Sequence, residues 1–287
     1  MGFKFSRLFK RNNKNNYNDY YEGRFLFDEE ETDRVQVQHH YFRESWNGNF
    51  SSPVKDALCA GGAKVLDIGC GPGIFLCDMA SDYPRTYFVG VDLLSTFPRL
   101  KPYNVSFIQC NVLEGLPFEK DTFDLVYCRF LMLDIKEFQW RDLVLRELAR
   151  VVKTNGWIEL MEPRLTVMNQ GPSTERICNA IQTKARAHNM DPNLVDEFER
   201  WLGLINNIHH INREVRRLPC GKWAGKHGEL GASFMYNVFK KHLKYVDNLI
   251  GIPSNEHKAT LNGLLHEFDM YRSYIEVYRF FAQKIEV

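Results

Sequence analysis

The residues best suited to chemistry lie together between Val65 and Gly73, where the sequence reads VLDIGCGPG. The apolar residues around Asp67 predict a buried strand, and three glycines at alternate positions predict a tight turn directly after it. Glycine permits backbone angles that are closed to other residues, and it lets a ligand approach the main chain closely. Asp67 comes just before the turn, where a carboxylate can act on a polar group that the turn holds. The stretch therefore predicts a small-ligand site at the end of a strand.

A second carboxylate follows at a distance that fits the same site. Residues 87–91 form another short apolar run, and Asp92 ends it, 25 positions after Asp67. That spacing is about the length of one strand-helix-strand unit, in which the two strands lie side by side. Open α/β sheets bind ligands at the carboxyl edge of their strands, so the glycine turn and Asp92 are expected to meet there. A carboxylate at that position can accept hydrogen bonds from both hydroxyls of a ribose.

Two kinds of nucleoside ligand suit a glycine turn that is followed by an acid. A nicotinamide dinucleotide requires G-x-G-x-x-G, whose third glycine lets the helix pack close to the strand. Here the third glycine, Gly73, comes one position early, and Ile74 occupies the expected slot. A pyrophosphate at the turn would also gain little from the carboxylate of Asp67 beside it. S-adenosylmethionine (SAM) has no phosphate and carries an amino group and a sulfonium, so the pattern favours SAM over NAD.

The pattern D-x-G-x-G-x-G after an apolar strand resembles motif I of the class I SAM-dependent methyltransferases. The resemblance implies that Asp67 and the turn face the methionine end of SAM, that Asp92 binds the ribose and that Leu93 packs on the adenine. The turn residues carried over are Gly69, Cys70, Gly71 and Gly73. It also implies that the reaction product is S-adenosylhomocysteine (SAH).

The same resemblance assigns residues to the adenine and amino ends of the ligand. The family usually has an aspartate where this chain has Asn111, whose side-chain oxygen still accepts a hydrogen bond, although without charge. The next backbone amide, that of Val112, can donate to the adenine ring. Arg129 ends the fourth strand, where the family offers a backbone carbonyl to the amino group of SAM. Its side chain either projects into the cleft or pairs at the surface with Asp134 or Glu137.

Further short cues between about residues 22 and 163 are similar to one fungal group within that family. The group includes regulators of secondary metabolism and aconitate-methylating relatives. The cues are Tyr21-Glu22-Gly23-Arg24, Gln38-His39-His40, Phe50-Ser51-Ser52-Pro53 and Glu159-Leu160-Met161-Glu162-Pro163. The remaining C-terminal residues match in layout, with helices after the fifth strand and a final apolar strand.

The order of the segments predicts an α/β fold with a doubly wound, mostly parallel seven-stranded sheet. A terminal antiparallel hairpin and a helical lid inserted after strand 5 complete it. We expect a disordered, basic and Asn-rich tail over residues 1–23 and one methyltransferase domain over residues 24–287. Within that domain the predicted parts are an N-terminal helical cover (24–62), the SAM-binding core (63–163), the lid (164–210) and a C-terminal part (211–287). Strands are predicted at 63–68, 86–91, 106–109, 124–128, 157–161, 213–218 and 275–285. Helices are predicted over about 137–152, 172–189, 191–206, 229–249 and 254–268, and Asn155-Gly156 predicts a turn.

Composition narrows the class of protein further. A net charge of +1 over 287 residues leaves no global field for nucleic acid or an anionic membrane. The seven cysteines are scattered and form no C-x-x-C pair, which indicates reduced thiols, no metal site and a location in the cytoplasm or, as an alternative, the nucleus.

Gly2 and Ser6 fit the N-myristoylation pattern beside basic residues, which would give a weak membrane tether. Because Phe3 is disfavoured in that pattern, a solvated tail is the preferred interpretation.

Methyl transfer needs a nucleophile in line behind the sulfonium, and positioning supplies much of the rate. If a base is used, Glu162 at the ligand edge and His40 in the N-terminal cover are the candidate catalytic residues. A small-molecule acceptor under the lid is the first hypothesis, with oxygen, nitrogen and carbon all open as the methylated atom. A non-catalytic regulator that acts through protein partners and a protein methyltransferase are the alternatives. The arginines at 213, 216 and 217 form the only folded basic cluster in the sequence, which is a weak nucleic-acid signal.

Overall fold

The computed structural model describes residues 29–286 and the side chains of residues 32–286. The predictions for the N-terminal tail, including the Gly2 pattern and the membrane tether, lie outside the described residues. Among these residues, seven strands form one sheet. They are β1 (Lys64–Ile68), β2 (Tyr87–Asp92), β3 (Val105–Gln109), β4 (Phe123–Arg129), β5 (Val152–Met168), β6 (Ile208–Pro219) and β7 (Tyr274–Lys284).

The sheet has the order β3-β2-β1-β4-β5-β7-β6. Strands β1 to β5 pair in parallel, whereas β7 runs antiparallel to both β5 and β6. This confirms the predicted mixed sheet with an antiparallel hairpin at its C-terminal end. The strand order reverses between β1 and β4, which opens a crevice at the carboxyl edge beside the glycine turn. The topology therefore places both acids of the sequence motif at one edge.

Helices cover both faces of the sheet. They are α1 (Glu29–Ser45), α2 (Lys55–Ala60), α3 (Ile74–Asp82), α4 (Glu137–Gln139), α5 (Leu145–Val151), α6 (Pro172–Ala187), α7 (Phe198–Gly203), α8 (Gly225–Ile250) and α9 (His257–Met270). One apolar core joins the sheet to α1, α2, α3, α6, α8 and α9, and a second joins its other face to α5 and α7. Because both faces of the sheet are buried, the sequences of the central strands are mostly apolar throughout and do not alternate between apolar and polar residues.

Some elements differ from their predicted bounds because tertiary pairing overrides local signals. Strand β5 includes the predicted turn at Asn155-Gly156, because Val152 pairs with Phe123 of β4 and Trp157 pairs with Leu125, and the register shift between them leaves Asn155, at φ 65°, in a bulge. The helix predicted over 137–152 is interrupted by a π-helical turn, Trp140–Val144. In the range predicted as a helix over 191–206, the structure has a short 3₁₀ turn and then α7.

The N-terminal cover is attached to the sheet by a buried carboxylate. Glu159 of β5 is 0% exposed and accepts hydrogen bonds from the amides of Ser51 and Ser52 and from the Ser52 hydroxyl at 2.6 Å. The Arg279 guanidinium of β7, 1% exposed, lies 3.7 Å from Glu159 and donates to the carbonyl of Gly48 at 3.1 Å. Two of the short sequence cues, around Ser52 and Glu159, are therefore in contact, and their hydrogen bonds attach the N-terminal cover to strand β5.

Within the part of the chain that the structure describes, no helix is both long and apolar enough to cross a bilayer. Over the same residues, no group of three or more His, Cys, Asp or Glu side chains is arranged to hold a metal ion.

Candidate cofactor and acceptor site

The glycine turn between β1 and α3 has the conformation that its sequence predicts. Gly69, Gly71 and Gly73 have φ values of 68°, 52° and 74°, in the left-handed region that favours glycine. A Cβ atom at Gly69 would come within 2.6 Å of the Leu131 side chain, and one at Gly73 within 2.4 Å of the Phe107 ring. Gly73 therefore serves the close packing of the turn and the start of α3, while Gly69 and Gly71 line the cavity above it.

Asp92 joins the end of β2 to this turn. Its Oδ2 accepts a hydrogen bond from the Gly71 amide at 2.8 Å, and its Oδ1 accepts one from the Leu94 amide at 2.9 Å. The side chain is half-buried and lines the cavity. Burial raises its pKa, although the backbone amides that it accepts from oppose that shift. Each carboxylate oxygen retains a second acceptor site, so the group can still accept hydrogen bonds from a diol.

Asp67 lies beneath the turn and is 1% exposed. Its Oδ1 has no hydrogen-bond partner among the described residues. Burial raises its pKa to about 7, the nearby Arg129 charge lowers it and the Asp92 charge raises it. A fully buried carboxyl with an unpaired oxygen is costly unless a ligand supplies a donor, directly or through water. The site therefore contains the acceptor that an ammonium group of a ligand would need.

The raised pKa of Asp67 predicts how stability depends on pH. Between its ordinary value of 3.8 and about 7, the folded chain keeps a proton that the unfolded chain has lost. The free energy of unfolding therefore falls as the pH rises through that interval. We expect Asp67→Asn to lose less stability than the wild type over the same interval, as measured by chemical denaturation. The exposed variant Asp56→Asn is the control, and a parallel pH profile of Asp67→Asn and wild type would contradict this account of the site.

Asn111 has a structural role that explains its residue type. It caps the 3₁₀ turn Val112–Glu114: its Oδ1 accepts from the Leu113 amide at 3.0 Å, and its Nδ2 donates to Glu114 at 3.0 Å. Asparagine is among the residues preferred at such a cap. Leu93, Asn111 and Val112 all line the cavity wall beyond Asp92, which is where the sequence prediction placed the adenine.

Arg129 at the end of β4 lines the cavity, as one of the two sequence interpretations expected. Its guanidinium lies 4.9 Å from the centre of the Phe75 ring, and its Nη1 lies 3.4 Å from Nδ1 of His39. His39 Nε2 is 3.0 Å from Asp78 of α3. Burial lowers the His39 pKa, which favours the neutral ring. In that form Nε2 donates to Asp78 and Nδ1 accepts from Arg129, so α1 and α3 together hold the arginine at the cavity.

The structure does not bring His40, the other candidate base, to the cavity. Its side chain is exposed on α1, whereas the neighbouring His39 is 1% exposed and faces the sheet. Successive residues of a helix point about 100° apart, and here His39 packs inward while His40 faces solvent. The sequence does not show which of these two adjacent histidines faces the core, so only the tertiary structure identifies the buried one.

Glu162, the other candidate base, is placed at the cavity. It is 1% exposed, and its Oε1 accepts from the Leu131 amide at 2.7 Å. Its Oε2 has no partner among residues 32–286. Burial raises the pKa of this carboxyl to about 8. The group is thus a weak acid at the point where β5 reaches the ligand edge of the sheet.

One cavity of about 550 Å³ is lined by Gly69, Gly71, Asp92, Arg129 and Glu162, whereas the buried Asp67 lies behind its wall and outside the lining. One end is formed by the glycine turn, the buried Cys70 thiol, Asp92 and the Asn111 wall. The other end, here named the apolar chamber, is enclosed by side chains of β5, α6, α8 and β7. The apolar chamber is lined by Leu165, Val167, Cys178, Ile181, Phe234, Met235, Val238, Phe239 and Ile275. The sequence predicted helices in this region from their apolar periodicity, but that periodicity does not distinguish a cavity wall from core packing.

The residues present fit the parts of SAM. Asp67 supplies a buried oxygen without a partner among the described residues, Gly69 and Gly71 bring the main chain to the cavity wall, and Asp92 supplies a carboxylate for two hydroxyls. The apolar side chains of Leu93 and Val112 suit a purine ring. The carboxyl groups of Asp67 and Asp92 beside the turn disfavour a pyrophosphate there and suit a ligand without one.

Comparison with known proteins agrees with this geometry. Residues 65–156 match the family model described as a methyltransferase domain. The N-methyltransferase verN of Clonostachys rogersoniana is 25% identical over 270 residues, covering 90% of this chain and 91% of that protein. Methyltransferase pytC of Aspergillus terreus is 29% identical over 220 residues, covering 72% of this chain. The secondary metabolism regulator LAE1 of Cochliobolus heterostrophus is 27% identical over 235 residues, covering 77% of this chain and 74% of that protein.

Over residues 65–156 the family match, together with the sheet order and the glycine turn, makes this chain similar to methyltransferase domains of the class I, SAM-dependent type. The fungal relatives agree with the similarity that the short sequence cues indicated. The match spans 64% of the length of pytC, so just under two thirds of that relative is represented in this chain.

Proposed function

We propose that this chain transfers the methyl group of SAM, by in-line displacement, to a small molecule held in the apolar chamber. Asp67, Gly69, Cys70, Gly71, Gly73, Asp92, Leu93, Asn111, Val112 and Arg129 form the SAM-binding set in this proposal. The observation that carries it is the continuity of one cavity from the glycine turn to the apolar chamber. Two reactants in one enclosed cavity are held close and oriented, which can supply roughly 7–11 kcal/mol of the barrier.

The lining of the apolar chamber favours an acceptor of small-molecule size with an apolar body. Helix α6, from the segment predicted as a lid, contributes Cys178 and Ile181, and α8 closes the opposite side. A cavity of this volume that combines an apolar chamber with polar side chains at its other end is typical of small-molecule sites. The relatives pytC and verN are named as a methyltransferase and an N-methyltransferase, which supports methyl transfer as the reaction.

The basic residues of β6 give little support to a nucleic-acid substrate. Arg216 donates to the Ser45 carbonyl at 2.7 Å, Arg217 lies 3.3 Å from Glu276, and the Arg213 guanidinium stacks 4.9 Å from the Tyr278 ring. Each is therefore engaged within the chain, as expected for a solvated edge strand.

Transfer of an isotopically labelled methyl group from SAM into a cell extract tests the proposed function. We expect label in molecules that pass a small-pore filter, and a much smaller signal with Asp92→Ala. Label only in the retained protein fraction would favour a protein methyltransferase. Binding of SAM with no transfer to any fraction would favour a regulator, the alternative that similarity to LAE1 supports.

A further inference from the structure

Glu162 presents an unpaired carboxyl oxygen at the wall of the cavity. Its Oε1 is occupied by the Leu131 amide, while its Oε2 has no partner in the described part of the chain and is sealed from solvent. Leaving a buried polar atom unpaired destabilises the folded chain. A ligand that brings a hydrogen-bond donor to this oxygen would remove that destabilisation. The arrangement therefore indicates a donor group on whatever occupies the cavity beside Glu162.

This oxygen belongs to the junction between the two ends of the cavity. Leu131, which Glu162 holds through its amide, packs directly over Gly69 of the glycine turn. Three and five residues beyond Glu162 along β5, Leu165 and Val167 line the apolar chamber. A group placed against Glu162 is thus adjacent to both the cofactor end and the acceptor end.

The charged groups around Glu162 are of both signs. Next to it lie Asp134 from the loop after β4, the Cys128 thiol of β4 and Tyr278, its register partner on β7. Arg164, two residues along β5, is held by Asp196 at 2.6 Å and by the Tyr278 hydroxyl, and Arg129, paired in register with Met161, also lines the cavity. Burial and, to a smaller extent, Asp134 raise the Glu162 pKa to about 8, while the backbone amides of Leu131, Met132 and Phe130 oppose that shift. A positive charge brought into the cavity would favour the ionised carboxylate.

We propose that Glu162 accepts a proton from the reacting atom of the acceptor, and that this atom is an amine nitrogen. This inference rests on the proposed function. The N–C bond forms as the donor C–S bond breaks, and the electron pair of that bond stays on sulfur. The methylated nitrogen carries a positive charge and releases its proton to Oε2 of Glu162. The products are then the neutral methylated amine, SAH and protonated Glu162, so atoms and charge balance.

We choose an amine because the pKa of its methylated ammonium form is close enough to that of Glu162 for a proton to move between them. An alkylammonium proton has a pKa near that of lysine, about 10.4, which is close enough for transfer to a carboxylate with a raised pKa. An alcohol holds its proton far more tightly, and a carboxylate acceptor has no proton to release. Asp134 adds a negative charge beside Glu162, which disfavours an anionic acceptor group at this position.

Sinefungin and SAH test this inference through binding, without turnover. Sinefungin carries an ammonium on carbon where SAM carries its methyl on sulfur, whereas SAH has no group there. We expect wild type to prefer sinefungin to SAH, with proton release on binding, and Glu162→Gln to lose about 10-fold or more of that preference. The glutamine can still accept from the Leu131 amide, so the variant is expected to fold. Glu199→Gln, an exposed change on α7, is the matched control.

The outcomes separate this inference from the proposed function. An unchanged preference for sinefungin in Glu162→Gln would overturn it, even if the variant were less active. Label found on an oxygen or a carbon in the transfer experiment would also overturn it, while methyl transfer itself would stand. If neither SAM nor SAH bound to the wild type, the proposed function would fail first.

Discussion

Replacing Glu159 with alanine is expected to lower the free energy of unfolding by about 3–5 kcal/mol. Glu159 is fully buried and accepts from two backbone amides and one hydroxyl of the Ser51-Ser52 pair. Its removal leaves those donors unpaired and leaves the buried Arg279 guanidinium without its nearest carboxylate. Breaking a buried ion pair on one side is costly because the remaining charge stays in a low-dielectric region.

Urea denaturation of the full chain measures this effect, and the sequence offers a matched control. Glu214 of β6 accepts from the hydroxyl of the same Ser51 at 2.8 Å, but it is exposed. We expect Glu214→Ala to cost less than about 1 kcal/mol. Equal losses of unfolding free energy in the two variants would show that Glu159 does not stabilise the attachment of the N-terminal cover.

Replacing Asp92 with alanine is expected to weaken SAM binding by about 100-fold or more. Two hydrogen bonds from ribose hydroxyls to a charged acceptor contribute about 1.5–3 kcal/mol each, and each 1.4 kcal/mol is tenfold in affinity. The substitution also removes the acceptor of the Gly71 amide, which is part of the glycine turn. Loss of the ribose contacts and loosening of the turn therefore act in the same direction.

A graded pair of variants separates these contributions. Asp92→Asn keeps one acceptor oxygen without charge, so we expect a loss of affinity between that of the wild type and that of Asp92→Ala. Thermal unfolding of each variant without ligand monitors the turn, and the exposed Asp56→Ala serves as the control. An affinity of Asp92→Ala equal to that of the wild type would remove Asp92 from the binding site.

The cofactor end was predictable because its constraints are local. Positive φ angles at Gly69, Gly71 and Gly73 require glycine whatever the rest of the fold does. Asp92 follows from the length of one strand-helix-strand unit, which the hydrophobic pattern shows directly. The parallel register of β1 and β2 then brings the turn and the acid together.

The acceptor end was not predictable from the sequence, because distant segments build it. Leu165, Ile181 and Met235 are far apart along the chain and meet only when α6 and α8 pack over the edge of the sheet. The choice of His39 over His40 likewise depends on how α1 docks on α3. The role of Asn111 as a cap requires the 3₁₀ turn that follows it. These features depend on contacts between segments that are distant in the sequence, and no local sequence pattern predicts such contacts.

Titration of the purified full chain with SAM, and separately with NAD, tests the central claim most directly. The left-handed glycine turn, the unpaired oxygen of Asp67 and the carboxylate of Asp92 predict one-to-one binding of SAM, competed by SAH, with no saturable binding of NAD. Isothermal titration calorimetry measures both ligands on the same preparation. Absence of SAM binding by a folded chain, or binding of NAD in its place, would contradict the account.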